Sequence, residues 1–166
     1  MKIALGSDHR GSQSARSLKQ HLESEGHDVT VCGDCTGVVT DYPDHAWSVS
    51  QAITSGSAQF GILICGSGIG MSIAANKVPG IRAALVSDEL TAELSRAHND
   101  ANVLCLSGDL IGQHLIQRIV DTWLATSFEG GRHARRVGKL ALIEQGQDPS
   151  GRPAETTQAA AGTQTS

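Results

Sequence analysis

Residues 60–65 read Phe-Gly-Ile-Leu-Ile-Cys, an almost unbroken apolar run that ends at a glycine-rich turn. Its length suits a strand and is too short for a buried helix. A strand that is apolar on both faces needs cover on both, and a parallel sheet flanked by helices supplies it. Four other segments read as strands, at residues 2–5, 28–32, 82–86 and 103–106. Between and after them lie helical patterns: residues 12–25, a stretch opened by Pro43, the segment 71–77, and residues 88–97 with Asp88 as N-cap. Two last helices are expected at residues 111–124 and 132–145. The order βαβαβαβαβα plus a terminal helix predicts a five-stranded parallel sheet with helices on both faces.

Composition narrows the function classes. The 166 residues carry 13 Lys and Arg against 17 Asp and Glu, a formal net charge of −4. That balance gives no pull toward nucleic acid or an anionic membrane. Only 3% of residues are aromatic, too few for a base-stacking platform. No apolar run is long enough for a transmembrane helix, and the first residues do not read as a secretory signal. Four cysteines in this length are not a disulfide scaffold, so a reduced, cytoplasmic protein is expected. From Gln147 onward no large apolar residue occurs and Gly, Pro, Ser, Thr and Ala dominate. Residues 1–146 therefore read as one domain and 147–166 as a disordered tail.

In such folds ligands sit beyond the carboxyl ends of the strands. There the sequence places Asp8 and His9 after the first strand, and Cys65-Gly66-Ser67-Gly68-Ile69-Gly70 after the third. Three alternate glycines before a helix start form an anion cradle, for a phosphate or for an oxyanion that develops during reaction. The same surroundings favour a thiolate at Cys65. The spacing is G-x-G-x-G, which does not match a dinucleotide fingerprint, and it lacks the Gly-Lys-Ser/Thr of a P-loop. His98 and Asn99 end a helix, where an imidazole serves as a cap or as an acid/base group. Arg132 and Arg136 stand i, i+4 in a basic run after two glycines, a spacing that clamps a phosphate or simply solvates a helix face. Cys32 and Cys35 lack a second ligand pair and read as structural, so no metal is expected.

Five stretches together resemble the ribose-5-phosphate isomerase B and galactose-6-phosphate isomerase family. They are IALGSDHRG, TDYPDHA, GILICGSGIGMSIAANKVPGIRAAL, LSRAHNDANVL and FEGGRHARRV. The resemblance implies a Rossmann-like three-layer α/β/α sandwich. It also implies an aldose–ketose isomerase without a cofactor, acting on ribose 5-phosphate as a homodimer or homotetramer with shared active sites. By resemblance Cys65 is the C2 base, Ser67 assists proton movement between the two oxygens, and His98 opens the furanose ring. The N–H groups of Gly66, Ser67, Gly68, Ile69 and Gly70 form the enediolate hole. Asp8, Tyr42 and Asn99 contact substrate hydroxyls, and His9, Arg132 and Arg136 bind phosphate. One departure stands out. Family members commonly place an arginine, a further phosphate ligand reaching across the dimer interface, where this chain has Asp109. Either Asp109 turns away, or Arg135 and Lys139 compensate, or the preferred sugar differs.

Overall fold

The computed structural model describes residues 1–33 and 35–151. These residues form β1 (Lys2–Ser7), α1 (Ser12–Ser24), β2 (Asp28–Val31), α2 (Tyr42–Thr54), β3 (Phe60–Cys65), α3 (Ile69–Ala75), β4 (Ala83–Leu85), α4 (Glu89–Asn99), β5 (Val103–Ser107), α5 (Gln113–Ala125) and α6 (Gly131–Glu144). The five strands make one sheet in the order β2-β1-β3-β5-β4, with every pair parallel.

Strand alternation divides the core into two layers. Ile3, Leu5, Ile62, Ile64, Leu104 and Leu106 pack against α1, α4 and α5 through Leu18, Leu22, Ala92, Ile116, Ile119 and Trp123. Their chain neighbours Ala4, Leu63, Cys65, Val103 and Cys105 face α2 and α3 through Ala46, Val49, Met71 and Ala75. The faces follow from handedness. The crossovers β1 to β2 and β4 to β5 run one way along the sheet, and β2 to β3 and β3 to β4 run the other. Right-handed crossovers then send α1 and α4 to one face and α2 and α3 to the other. This is the expected three-layer sandwich, closed at one flank by α6.

The expected boundaries hold to within two residues for most elements, and β3 spans the same six residues. Asp88 caps α4, its Oδ1 accepting the Thr91 N–H at 2.7 Å. Several edges move inward, those of β4 and α5 among them. β4 is shortened to Ala83–Leu85, where Arg82 donates its Nε–H to the Asp100 carbonyl at 2.8 Å. α5 begins at Gln113 because Gly112 takes the extended N-cap position. Of the expected tail, residues 147, 148, 150 and 151 are exposed and Pro149 is half-buried, and Asp148 accepts the Ser150 N–H at 2.7 Å. Residues 152–166 of that tail lie outside the described residues, as does Asp34. Among the described residues no helix is long and apolar enough to cross a membrane.

The end of α4 is tied down by charge. Asp100 caps it in the left-handed region, φ 48°, and its carboxylate accepts from Arg82 Nη2 and Arg96 Nη1, each at 2.8 Å. Arg96 is buried, with its guanidinium carbon 4.8 Å from the Phe60 ring centre, and Phe60 meets Trp123 edge-on at 5.2 Å.

Candidate active site

The sheet order reverses between β1 and β3, because β2 lies outside β1 while β5 and β4 continue beyond β3. A crevice opens at such a switch point, beyond the carboxyl ends of the strands. Asp8, His9 and the loop after Cys65 occupy it.

Cys65 is buried at 4% exposure, and its sulfur accepts the Gly68 N–H at 3.1 Å. Gly68 reaches that position with φ 77°, a conformation L side chains avoid, and α3 starts at the next residue. Ser67 Oγ accepts the Ile69 N–H at 3.3 Å. Two of the five N–H groups expected to hold an enediolate are thus engaged within the loop, on the sulfur and on Ser67. The donor set open to an oxyanion is correspondingly smaller than the expected five. The loop is clasped to β5: Gly108 N–H donates to the Cys65 carbonyl at 2.8 Å, and the Ser107 hydroxyl to the Gly66 carbonyl at 2.6 Å. Cys105 lies on the same sheet face as Cys65 and is fully buried. Burial pushes its thiol far above the ordinary range, with the neighbouring Cys65 adding to the effect, so it stays protonated.

Around the cradle stand other expected residues. Asp8 is buried, and its Oδ1 accepts the N–H groups of Arg10 and Gly11 at 3.0 Å each. That bond shapes the turn whatever else the carboxylate does. His9 follows, with Nδ1 buried and no hydrogen-bond partner among the described residues. The Tyr42 ring lies over Gly70. Beside the loop a groove of about 320 Å³ runs along Ser67, Ile69, Leu85, Val86, Ser87, Ser107, Leu110 and Ile111.

His98, Asn99, Arg132 and Arg136 do not join this group within one chain. α4 runs back against the strands, so its last residues, His98 and Asn99, lie at the amino end of β5. α5 returns the chain to that same end before α6 begins. The five residues of β5 alone separate the two ends by roughly 13 Å. There the His98 ring stacks on His133, centres 4.2 Å apart and planes 6° from parallel. Glu129 Oε2 lies 3.8 Å from His98 Nε2 and 3.5 Å from His133 Nε2. His133 is buried, and its Nε2 accepts the Arg132 Nε–H at 3.2 Å. Burial, the facing His98 and Arg132 hold its pKa below the ordinary histidine value. The ligating atoms of His98, Glu129 and His133 lie within 4.8 Å of one another. Parallel rings, however, aim their nitrogens side by side and not at a common ion.

Sequence reasoning passed over Glu129 and His133 as partners of His98, and Arg10 altogether. The signal for the first was present, since GGRH follows Glu129 directly. Arg10 was visible only as the residue after His9. The structure pairs it with Asp109, Nη2 to Oδ2 at 2.6 Å and Nε to Oδ2 at 2.7 Å. Asp109 thus neither turns away nor relies on Arg135 and Lys139.

A glycine cradle that holds a buried thiol at the switch point of a parallel α/β sheet defines an enzyme site for a small anionic substrate. Residues 3–140 match the family described as Ribose/Galactose Isomerase. The chain is 46% identical to ribose-5-phosphate isomerase B of Escherichia coli (strain K12) over 144 residues, 87% of this chain and 97% of that protein. It is 41% identical to D-erythrulose-4-phosphate isomerase of Pectobacterium atrosepticum, over 87% of this chain and 95% of that one. The solved structure of Clostridium thermocellum ribose-5-phosphate isomerase B superposes with a TM-score of 0.87 at 49% identity, covering 88% of this chain and 99% of that one. This chain is an aldose–ketose isomerase and belongs to the ribose/galactose isomerase family.

Proposed function

We propose that the enzyme interconverts ribose 5-phosphate and ribulose 5-phosphate through an enediolate, with Cys65 as the base at C2. The observation that carries the reading is the Gly68 N–H held on the Cys65 sulfur inside the cradle. An aldose–ketose isomerase removes a proton from a carbon beside a carbonyl. A thiolate is a weak base against a carbon acid, so the developing oxyanion needs preorganised donors. The remaining main-chain donors of residues 66–70 supply them, and Ser67 moves the proton between the two oxygens. The hydrogen travels as a proton within one substrate, so the chemistry calls for no redox cofactor.

Ring opening falls to His98, with Asn99, Asp8 and Tyr42 on the sugar hydroxyls and His9, Arg132 and Arg136 on the phosphate. Because His98 and Cys65 occupy opposite ends of one sheet, the reading requires a second copy to bring His98 to Cys65. Exposed Ile69, Leu85 and Leu110 beside the cradle support such a contact. The free thiols of all four cysteines are in keeping with a cytoplasmic enzyme.

Cys65→Ala is expected to lower ribose 5-phosphate turnover by about 10²–10⁴-fold with inorganic phosphate binding intact. Loss of binding with C2 proton exchange retained overturns the role of Cys65. A second reading, a shorter sugar phosphate, is favoured by the similarity to D-erythrulose-4-phosphate isomerase and by Asp109. A panel of tetrose, pentose and hexose phosphates separates the two by kcat/KM.

A further inference from the structure

We propose that Arg10 binds the anionic end of the substrate in this enzyme and sets its preference for a phosphorylated sugar, with Asp109 as its positioning residue. The proposal rests on the isomerase reading above and adds a further residue to those that meet the substrate's charge.

A lone carboxylate at position 109 would oppose that substrate. Two like charges brought within contact distance repel, and more strongly where solvent is partly excluded. The carboxylate is not alone. Both bonds from Arg10, at 2.6 and 2.7 Å, fall on one oxygen of Asp109. The pair lies directly over the first peptide of the cradle: a Cβ on Gly66 would stand 2.9 Å from Arg10 Nε and 2.9 Å from Asp109 Oδ2. Gly66 follows Cys65, so the guanidinium sits at the mouth of the site that holds the proposed base.

Both partners are fixed by main chain. Asp109 N–H donates to the Gly66 carbonyl at 3.2 Å, and Arg10 N–H to Asp8 Oδ1 at 3.0 Å. The strand ends therefore set where the two side chains meet. A guanidinium has five N–H donors. Two point at Asp109, and no further partner engages the side chain among the described residues. The Arg10 side chain is 58% exposed, so its remaining donors are open to a ligand. An exposed pair of this kind is weak, enough to orient the fork without neutralising its use. A phosphate takes two parallel N–H bonds from such a fork, which a single surface cation cannot offer. The cation expected at position 109 is thus delivered from the opposite side of the same gap, beside His9.

The test uses the full-length enzyme, its Arg10→Ala and Arg10→Lys variants, and the double variant Arg10→Ala/Asp109→Arg. Arg10→Ala is expected to raise KM for ribose 5-phosphate about ten-fold or more while kcat changes less than about three-fold. Inorganic phosphate should weaken as a competitive inhibitor by the same factor. Arg10→Lys should fall between, because an ammonium keeps the charge and loses the fork. The double variant should recover most of the lost KM by returning the cation from the other side, a rescue that a merely structural ion pair does not give. Unchanged KM and phosphate inhibition in Arg10→Ala, or no recovery in the double variant, overturns the proposal. If the wild-type enzyme turns over no sugar phosphate, the isomerase reading fails on its own. Titration calorimetry with inorganic phosphate then still decides the role of Arg10, since equal affinity or no binding in wild type and Arg10→Ala refutes it.

Discussion

The two ends of the sheet hold the two groups to which the proposed chemistry is assigned, and they are built differently. At the carboxyl end the cradle is main chain: Gly68 N–H on sulfur, Gly108 N–H on the Cys65 carbonyl, Asp109 N–H on the Gly66 carbonyl. At the amino end the group is side chain: two stacked imidazoles, Glu129 and Arg132. A main-chain cradle fails when an atom is added to it. A side-chain site titrates and fails when a group is removed.

The sharpest way to break that comparison is to damage both ends separately and combine them. On the proposed role of His98 in ring opening, His98→Asn is expected to lower ribose 5-phosphate turnover by roughly 10²-fold or more. D-erythrose 4-phosphate has no free hydroxyl that closes a furanose ring, so its turnover should be nearly spared. Co-expressed with Cys65→Ala, the two inactive chains should regain about a quarter of wild-type activity if each site takes Cys65 from one copy and His98 from another. No recovery in proven mixed oligomers would mean that one chain completes its own site.

Adding one methyl group probes the main-chain end. In Gly68→Ala the new Cβ stands 2.6 Å from Leu85 Cδ1 and 3.0 Å from the Leu106 carbonyl, at φ 77°. A loss of about 1–3 kcal/mol is expected, read from urea unfolding, together with loss of turnover. Wild-type stability with normal activity would show that the cradle does not depend on this turn.

The smallest effect belongs to pH. The depressed His133 pKa means that the unfolded chain, near the model-peptide value of 6.5, binds the proton more readily than the folded one. The His133 contribution is therefore complete above about pH 6.5 and is lost as the pH falls toward the folded value. Comparing urea midpoints at pH 7.5 and 5.5, His133→Gln should show a smaller drop than wild type. An equal drop would take His133 out of the titrating group.

How much of this was legible beforehand follows from the same contrast. The FGILIC strand and the glycine turn are contiguous in sequence, so periodicity and spacing located the strand to the residue and the end of the turn to within two, α3 starting at Ile69. The placement of His98 was legible in principle, because a helix that precedes a parallel strand must end at that strand's start. Its stacking on His133 was not, since a rigid contact between α4 and α6 depends on how two helices pack. The strand order was not read from the sequence either, because it depends on which crossovers skip a strand. The Arg10–Asp109 pair spans 99 residues and no local pattern announces it. What sequence did show was the odd residue at 109, and physical chemistry supplied the question of what neutralises it.

Asp100 follows His98 and Asn99 directly and looks, in a string of letters, like part of the same catalytic word. Its left-handed backbone would suit glycine better, yet its carboxylate anchors Arg82 and the buried Arg96 beneath the hydrophobic layer of Phe60 and Trp123. Glycine would relieve the main chain and leave a buried guanidinium without its counter-ion. Replacing Asp100 therefore tests the architecture of the sheet's amino end before it tests any chemistry beside it.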